Sequence, residues 1–195
     1  VGKSRREANI EATRAALLAA ARHHFARHGY ARTELSQIAA DAEVTTGAIY
    51  HHFVSKKGLF QAVAEQLEAE ILAAAAARQA ADMWQGLRAG FESLIDVCAA
   101  PDIQRIIFIE APQVIGPEEW REIELRYAFG ATRQILEHLM ADGTLRRFPV
   151  DLVARTLLSL LSEAAAEIAR TPGDPKIRAQ VGEMVTRVLD AFESG

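Results

Sequence analysis

The sequence predicts an all-α protein of about nine helices, a small three-helix head followed by a larger helical bundle, and three observations carry that prediction. Apolar residues recur at helical spacing along nearly the whole chain. No segment alternates apolar and polar residues with the period of two that a strand requires. Pro and Gly fall between the periodic stretches and punctuate them.

The first helix is expected from about Ile10 to His28, with Leu17, Ala20, Ala21, His24 and Phe25 on its apolar stripe and Gly29 closing it. Thr33 reads as the N-cap of a short second helix, Glu34 to Asp41. After a tight turn, Thr45 or Thr46 caps a third short helix ending near His52. Ser55 caps a fourth, which the alanine tract carries to about Ala80. Further helices are expected from Met83 to Ala99, from Asp102 to Glu110 (ended by Pro112), and from Pro117 to about Ala141. Two more, Val150 to Arg170 and Pro175 to Phe192, flank the turn Thr171-Pro172-Gly173-Asp174.

Half of the 195 residues are apolar and a quarter charged, the balance of an ordinary soluble protein. Cys98 is the sole cysteine, so no intramolecular disulfide can form, and a cytoplasmic setting is expected. Neither a signal-peptide pattern nor an apolar run long enough to span a bilayer is visible, so no membrane association is expected. The net charge of −4 divides unevenly. Residues 1–57 hold nine Lys/Arg against five Asp/Glu, while residues 58–195 hold thirteen against twenty-one. Five of the six histidines also lie in the first part, so a polyanion is attracted to the head and repelled by the body. That division sets the expected domain boundary at residue 57, with a second domain over 58–195.

The stretch TELSQIAADAEVTTGAIYHHFVSKK, residues 33–57, is the most informative. Two short helices joined by a tight turn bury little area alone and must pack on a third, which the first helix supplies. Ile38, Ala39, Val44, Ile49 and Phe53 have the spacing to form that shared core. Thr45, Thr46, Gly47, Tyr50 and His51 then lie on the opposite side of the third helix, where a duplex major groove could receive them. Tyr50 and His51 are placed to donate to phosphates, although a Tyr ring can also simply pack. His52 reads either as a phosphate contact or as a structural residue turned toward the body. Thr33 and Lys56, at the starts of flanking helices, can bracket the DNA backbone.

Residues 28–60, HGYARTELSQIAADAEVTTGAIYHHFVSKKGLF, resemble the TetR/AcrR family of transcriptional regulators. Gly29-Tyr30, Thr33, Ile38-Ala39, Val44, Gly47, Ile49-Tyr50, His52-Phe53, Ser55-Lys56 and Leu59-Phe60 stand where that pattern expects them. The resemblance implies base contacts from Thr45, Thr46 and Gly47, and phosphate contacts from Thr33, Tyr50, His51, His52 and Lys56. It implies a homodimer that binds operator DNA and is released by a small apolar or amphipathic effector, with no enzymatic activity and no cofactor. One position departs from the pattern: Glu43 stands in the turn where the family has glycine.

The middle helices carry Trp84, Phe91, Phe108, Trp120, Tyr127 and Phe129, which are expected to line an effector pocket, with ordinary core packing as the alternative. The last two helices carry Leu157, Leu161, Ala164, Ala165 and Ile168, then Val181, Val185, Val188, Leu189 and Phe192. By the same resemblance those stripes form the dimer interface, although they could also bury within one chain. His24 and His28 are four residues apart but have no Cys or acidic partner at matching spacing, so no metal site is expected. Cys98 lies in an apolar stripe and reads as core, and the Glu118-Glu119 and Glu122-Glu124 run reads as a solvated helix start. A helical enzyme acting through Glu118 or Glu122, and a peptide-binding module that ignores duplex DNA, are the two alternatives from other classes.

Overall fold

A computed structural model of the chain describes residues 5–77 and 80–194. Eleven α-helical segments and one π-helix account for nearly all of them. Helix α1 spans Arg5–Arg32, α2 Leu35–Asp41 and α3 Thr46–Phe53, and these three form the head. Gly29 does not end α1 but kinks it, at φ 79° and ψ 165°, so that a last short turn follows. Helix α4, Lys56–Ala76, is capped by Ser55, whose Oγ accepts the Gly58 N–H at 3.0 Å. The expected extension of this helix to Ala80 crosses residues 78–79, which lie outside the described residues.

Helix α5, Met83–Cys98, starts at Asp82, which accepts the Gln85 N–H at 2.8 Å. The segment expected as one helix from Asp102 to Glu110 is instead composite: α6 Pro101–Ile103, a π-helix Gln104–Glu110, and α7 Ala111–Val114. Proline chemistry accounts for the change. The Ala111 N–H reaches back five residues to the Ile106 carbonyl, and Pro112, next along, has no N–H to continue the tighter register.

The single helix expected from Pro117 to Ala141 is two, α8 Pro117–Arg126 and α9 Ala128–Ala141, broken at Tyr127 (φ −121°, ψ −123°). Helical periodicity continues across such a break, which hides it from the sequence. Gly130 makes the break possible, because a Cβ there would stand 1.9 Å from the Leu125 carbonyl oxygen. Helices α10, Val150–Arg170, and α11, Pro175–Asp190, complete the chain, the latter capped by Asp174.

Helix α4 joins the two parts, packing on α1 and α3 at one end and on α5 and α9 along its length. In the head, Phe60 of α4 meets Phe25 of α1 edge-on at 5.0 Å and Tyr30 at 5.2 Å. In the body, α5 packs against α4, α10 and α11. Among the described residues no helix is long and apolar enough to cross a membrane.

Candidate nucleic-acid interface and interior cavity

Ile38 and Ala39 of α2 and Ile49 and Phe53 of α3 are buried, with α2 packed on α1 and α3 packed on α2 and α4, which fixes how α3 sits on the head. The turn between the short helices closes through Val44 N–H to Ala39 carbonyl, 2.9 Å, and Glu43 N–H to Ala40 carbonyl, 3.1 Å. Glu43 adopts the left-handed conformation, φ 55°, a geometry that disfavours a residue with a Cβ by about 1 kcal/mol. Glycine would remove this strain. The turn keeps its hydrogen bonds nonetheless.

With Ile49 and Phe53 inside, Thr45, Gly47, Tyr50 and His51 are exposed and Thr46 is half-buried. Tyr50 keeps 55% of its surface in solvent despite its apolar ring. Its neighbours on the α3 surface are hydroxyl and imidazole groups, so this face presents donors at a convex ridge. Thr45 sits at the N-cap with extended backbone and no side-chain cap bond, which leaves its hydroxyl available.

His52 is half-buried, with its ring 5.4 Å from His51 and 6.1 Å from Phe53. Burial, then the nearby His51 and Arg14, lower its pKa and favour the neutral ring. Lys56 lies over the Tyr30 ring at 4.7 Å and donates to the Ala31 carbonyl at 3.4 Å. Burial lowers its pKa too, against the opposing pull of Glu110 and Glu34.

Thr33 is placed differently from expectation. It is 2% exposed, and its hydroxyl reaches the Gly29 carbonyl at 2.8 Å and the His24 carbonyl at 3.1 Å. Glu34, not Thr33, is the N-cap of α2, and it makes no side-chain cap bond. The hydroxyl that would have capped α2 is drawn back to carbonyls at the kinked end of α1, where the Gly29 carbonyl also accepts the Thr33 N–H at 3.2 Å. Arg14, exposed on α1 with its guanidinium 5.1 Å from the Phe53 ring, is a neighbour of α3 that sequence spacing does not reveal. Its proximity depends on the crossing of two helices.

The head is held to the body at the kink. Arg105 of the π-helix donates to the Ala26 and Arg27 carbonyls at 3.1 and 3.0 Å, and Glu110 accepts the Tyr30 N–H at 2.8 Å. Arg22 adds ion pairs to Asp102, 2.6 Å, and Glu70, 2.7 Å. His24 Nε2 lies 2.7 Å from Asp41, an acidic partner seventeen residues away in sequence.

On its other side the π-helix walls a cavity of about 660 Å³ between α4, α5, α8, α9 and α10. Phe91, Phe108 and Trp120 line it, as expected, but Trp84 and Tyr127 do not. Trp84 donates its indole N–H to Glu193 and carries Arg88 against its ring at 5.8 Å. Tyr127 falls at the break between α8 and α9, which turns it out of the helical register that would have aimed it inward.

The cavity also holds Glu68, Glu124, Arg155 and Cys98. Glu68 is 5% exposed and its Oε2 has no hydrogen-bond partner. Burial, reinforced by Glu124, pushes its pKa up to about 7, and the Ala128 N–H opposes the shift. The sequence carries a signal for this residue: Glu68 shares a helical face with Ala64 and Ile71, both buried. Burial, with Glu68 adding to it, pushes the Cys98 thiol up to about 12, which suits an inert core residue.

Of the stripes expected at a dimer interface, Leu157, Leu161, Ala164, Ala165, Val181, Val185 and Leu189 are buried within the single chain. They face α5, α9 and each other's helices, because the body needs those stripes to close its own core. Ile168, Val188 and Phe192 remain half-buried, and Met184 is exposed beside them along a shallow groove on α11.

The family model described as "Bacterial regulatory proteins, tetR family" matches residues 17–63. A second, "Tetracyclin repressor-like, C-terminal domain", matches residues 84–192. The chain is 29% identical over 156 residues to the Transposon Tn10 TetC protein of Escherichia coli, covering 80% of this chain and 79% of that one. It is 44% identical to the HTH-type transcriptional regulator TtgR of Pseudomonas putida over 63 residues, 32% of this chain and 30% of the relative. Its fold matches the crystal structure of a TetR-family transcriptional regulator from Pectobacterium atrosepticum at 32% identity and a TM-score of 0.71, over 99% of both chains.

Proposed function

This chain belongs to the TetR family of DNA-binding transcriptional regulators, and from that premise we propose that it is a homodimeric repressor released from its operator by a small apolar or amphipathic effector. It is a regulator and not an enzyme. The observation that carries the reading is the outward ridge on α3: Thr45, Gly47, Tyr50 and His51 exposed on a helix whose opposite side, Ile49 and Phe53, is buried. A short helix anchored in that way can enter the major groove with its N-terminal residues against base edges. Thr45, Thr46 and Gly47 read bases, Tyr50, His51 and Lys56 hold phosphates, and Arg14 reinforces them. His52, half-buried and favoured neutral, contributes a hydrogen bond rather than a charge. Thr33 acts as a positioning residue, tying the kinked end of α1 to the start of α2.

The reading head, residues 1–57, and the effector-binding body, residues 58–195, have separate tasks. The cavity volume of about 660 Å³ falls within the range of small-molecule sites. Its walls include α4 and the π-helix, and both also contact α1. An effector that favours one arrangement of those walls therefore biases the head, and by linkage DNA and effector weaken each other equally. A DNA partner supports the expected cytoplasmic setting.

Electrophoretic mobility with the DNA flanking the protein's own gene tests the assignment. Lys56→Ala should reduce the slope of log affinity against log salt by about 1 per head, while Thr46→Ala should relax sequence preference with little change in slope. If both variants bind every duplex as the parent does, α3 is not the reading helix.

Two copies are needed because one short helix reads too few bases for firm binding. The outer face of α11, with Met184, Val188 and Phe192, and Ile168 of α10 supply apolar surface for the partner copy. Recognition helices in the dimer should then lie about 34 Å apart, one turn of the duplex. Met184→Asp is expected to yield monomers in sedimentation velocity and to weaken operator binding by roughly 100-fold. A stable dimer in that variant would move the interface elsewhere.

A further inference from the structure

The cavity is apolar in most of its lining, yet its charged groups do not cancel. Among the described residues, Glu68 from α4 and Glu124 from α8 face a single arginine, Arg155 from α10. Burial raises the Glu124 pKa, and Arg155, which lies over the Phe129 ring at 4.4 Å, opposes that shift. Trp120 adds a hydrogen bond to Glu124. Glu68 has less: the Ala128 N–H reaches its carboxyl group, and Oε2 is buried without a partner. A buried acceptor left unmade is costly, and a donor entering the cavity would complete it. Phe91, Phe108, Trp120 and Phe129 also border the space, and aromatic faces attract cations.

We propose that the effector is a bulky apolar amine, bound as its ammonium ion, with an N–H donated to Glu68 and its charge offset by the Glu68–Glu124 carboxyl pair. This inference rests on the effector-responsive reading above and adds the chemical class of the effector. An anionic lipid would reach Arg155 only by meeting both carboxyl groups as well. A neutral alcohol could donate its O–H to Oε2 but would bring no charge to the carboxyl pair.

The probes are dodecylammonium, dodecanol and dodecanoate, each below its micelle concentration. Binding to the full-length protein is followed by calorimetry and by fluorescence of Trp120, which lines the space. The ammonium ion should bind at least about tenfold more tightly than the alcohol or the carboxylate. In Glu68→Gln that preference should shrink to within about twofold of the alcohol. Glu124→Gln should reduce it in the same direction, and it serves as the second variant if Glu68→Gln does not fold. Preference for dodecanoate, equal binding of the three probes, no binding of any, or a preference that survives both substitutions would overturn the proposal. Operator release is measured separately by mobility shift. Selective ammonium binding that leaves the DNA complex intact would preserve the recognition chemistry and refute the effector reading instead.

Discussion

Phe60→Ala is expected to destabilise the protein by about 3–5 kcal/mol, with a fall in melting temperature of roughly 10 °C. The Phe60 ring is fully buried and fills the angle between Phe25 and Tyr30, its centroid 5.0 and 5.2 Å from theirs. Truncation removes the transfer energy of the ring and leaves a cavity between α1 and α4 that relaxation only partly closes. Tyr30 also carries Lys56 against its ring, so operator affinity should fall beyond what unfolding alone explains. Calorimetry on the variant, with DNA affinity measured well below its midpoint, checks both parts. A loss under about 1 kcal/mol would show that the head does not depend on this aromatic cluster.

Glu68→Gln is expected to stabilise the protein at pH 8 by about 3 kcal/mol and to remove most of the pH dependence between about 4.5 and 7. The sign follows from proton binding. Glu68 titrates at about 7 in the folded protein, against an ordinary value of 4.5. In that window the folded chain holds a proton that the unfolded chain has released, so raising the pH favours unfolding. Stability is therefore greatest below about pH 4.5 as far as this group is concerned, declines through the window, and levels off above pH 7. Burial and then Glu124 from α8 raise it and the Ala128 N–H from α9 opposes them, while Arg155 from α10 and the Cys98 thiol from α5 line the same cavity. Denaturant midpoints of the parent and the Gln variant at pH 5 and pH 8 supply the measurement. A variant with the parent's pH profile would place the titration elsewhere.

The head is legible in the sequence because its constraints are local. Ile49 and Phe53 on one side of a short helix, and Gly47, Tyr50 and His51 on the other, follow from helical spacing once one side must be buried. Spacing says less at the C-terminus. A stripe such as Leu157, Leu161 and Ala164 states that a face is buried, but not whether its cover comes from the same chain, and here α5 and α9 provide it. The break at Tyr127 is invisible because periodicity continues through it. Trp84, aromatic and central in sequence, has the character of a cavity residue, yet it is satisfied by Glu193, 109 residues away. Glu68 is the opposite case, a charged residue whose register nonetheless places it inward.

Beside the Arg22 ion pairs, the clamp on α1 grips main chain. Arg105 and Glu110 hold the head through the Ala26 and Arg27 carbonyls and the Tyr30 amide, atoms that every residue type except proline supplies alike. Only Gly29 is specified by that grip, since a Cβ there would come within 2.5 Å of Glu110. The head is thus seated partly on atoms that most sequences supply, and its sequence-specific anchors are few: Arg22, Phe25, Gly29 and Tyr30. Residues on the groove-facing side can drift or be transplanted to a new operator without retuning the seat beneath them, provided those four travel along.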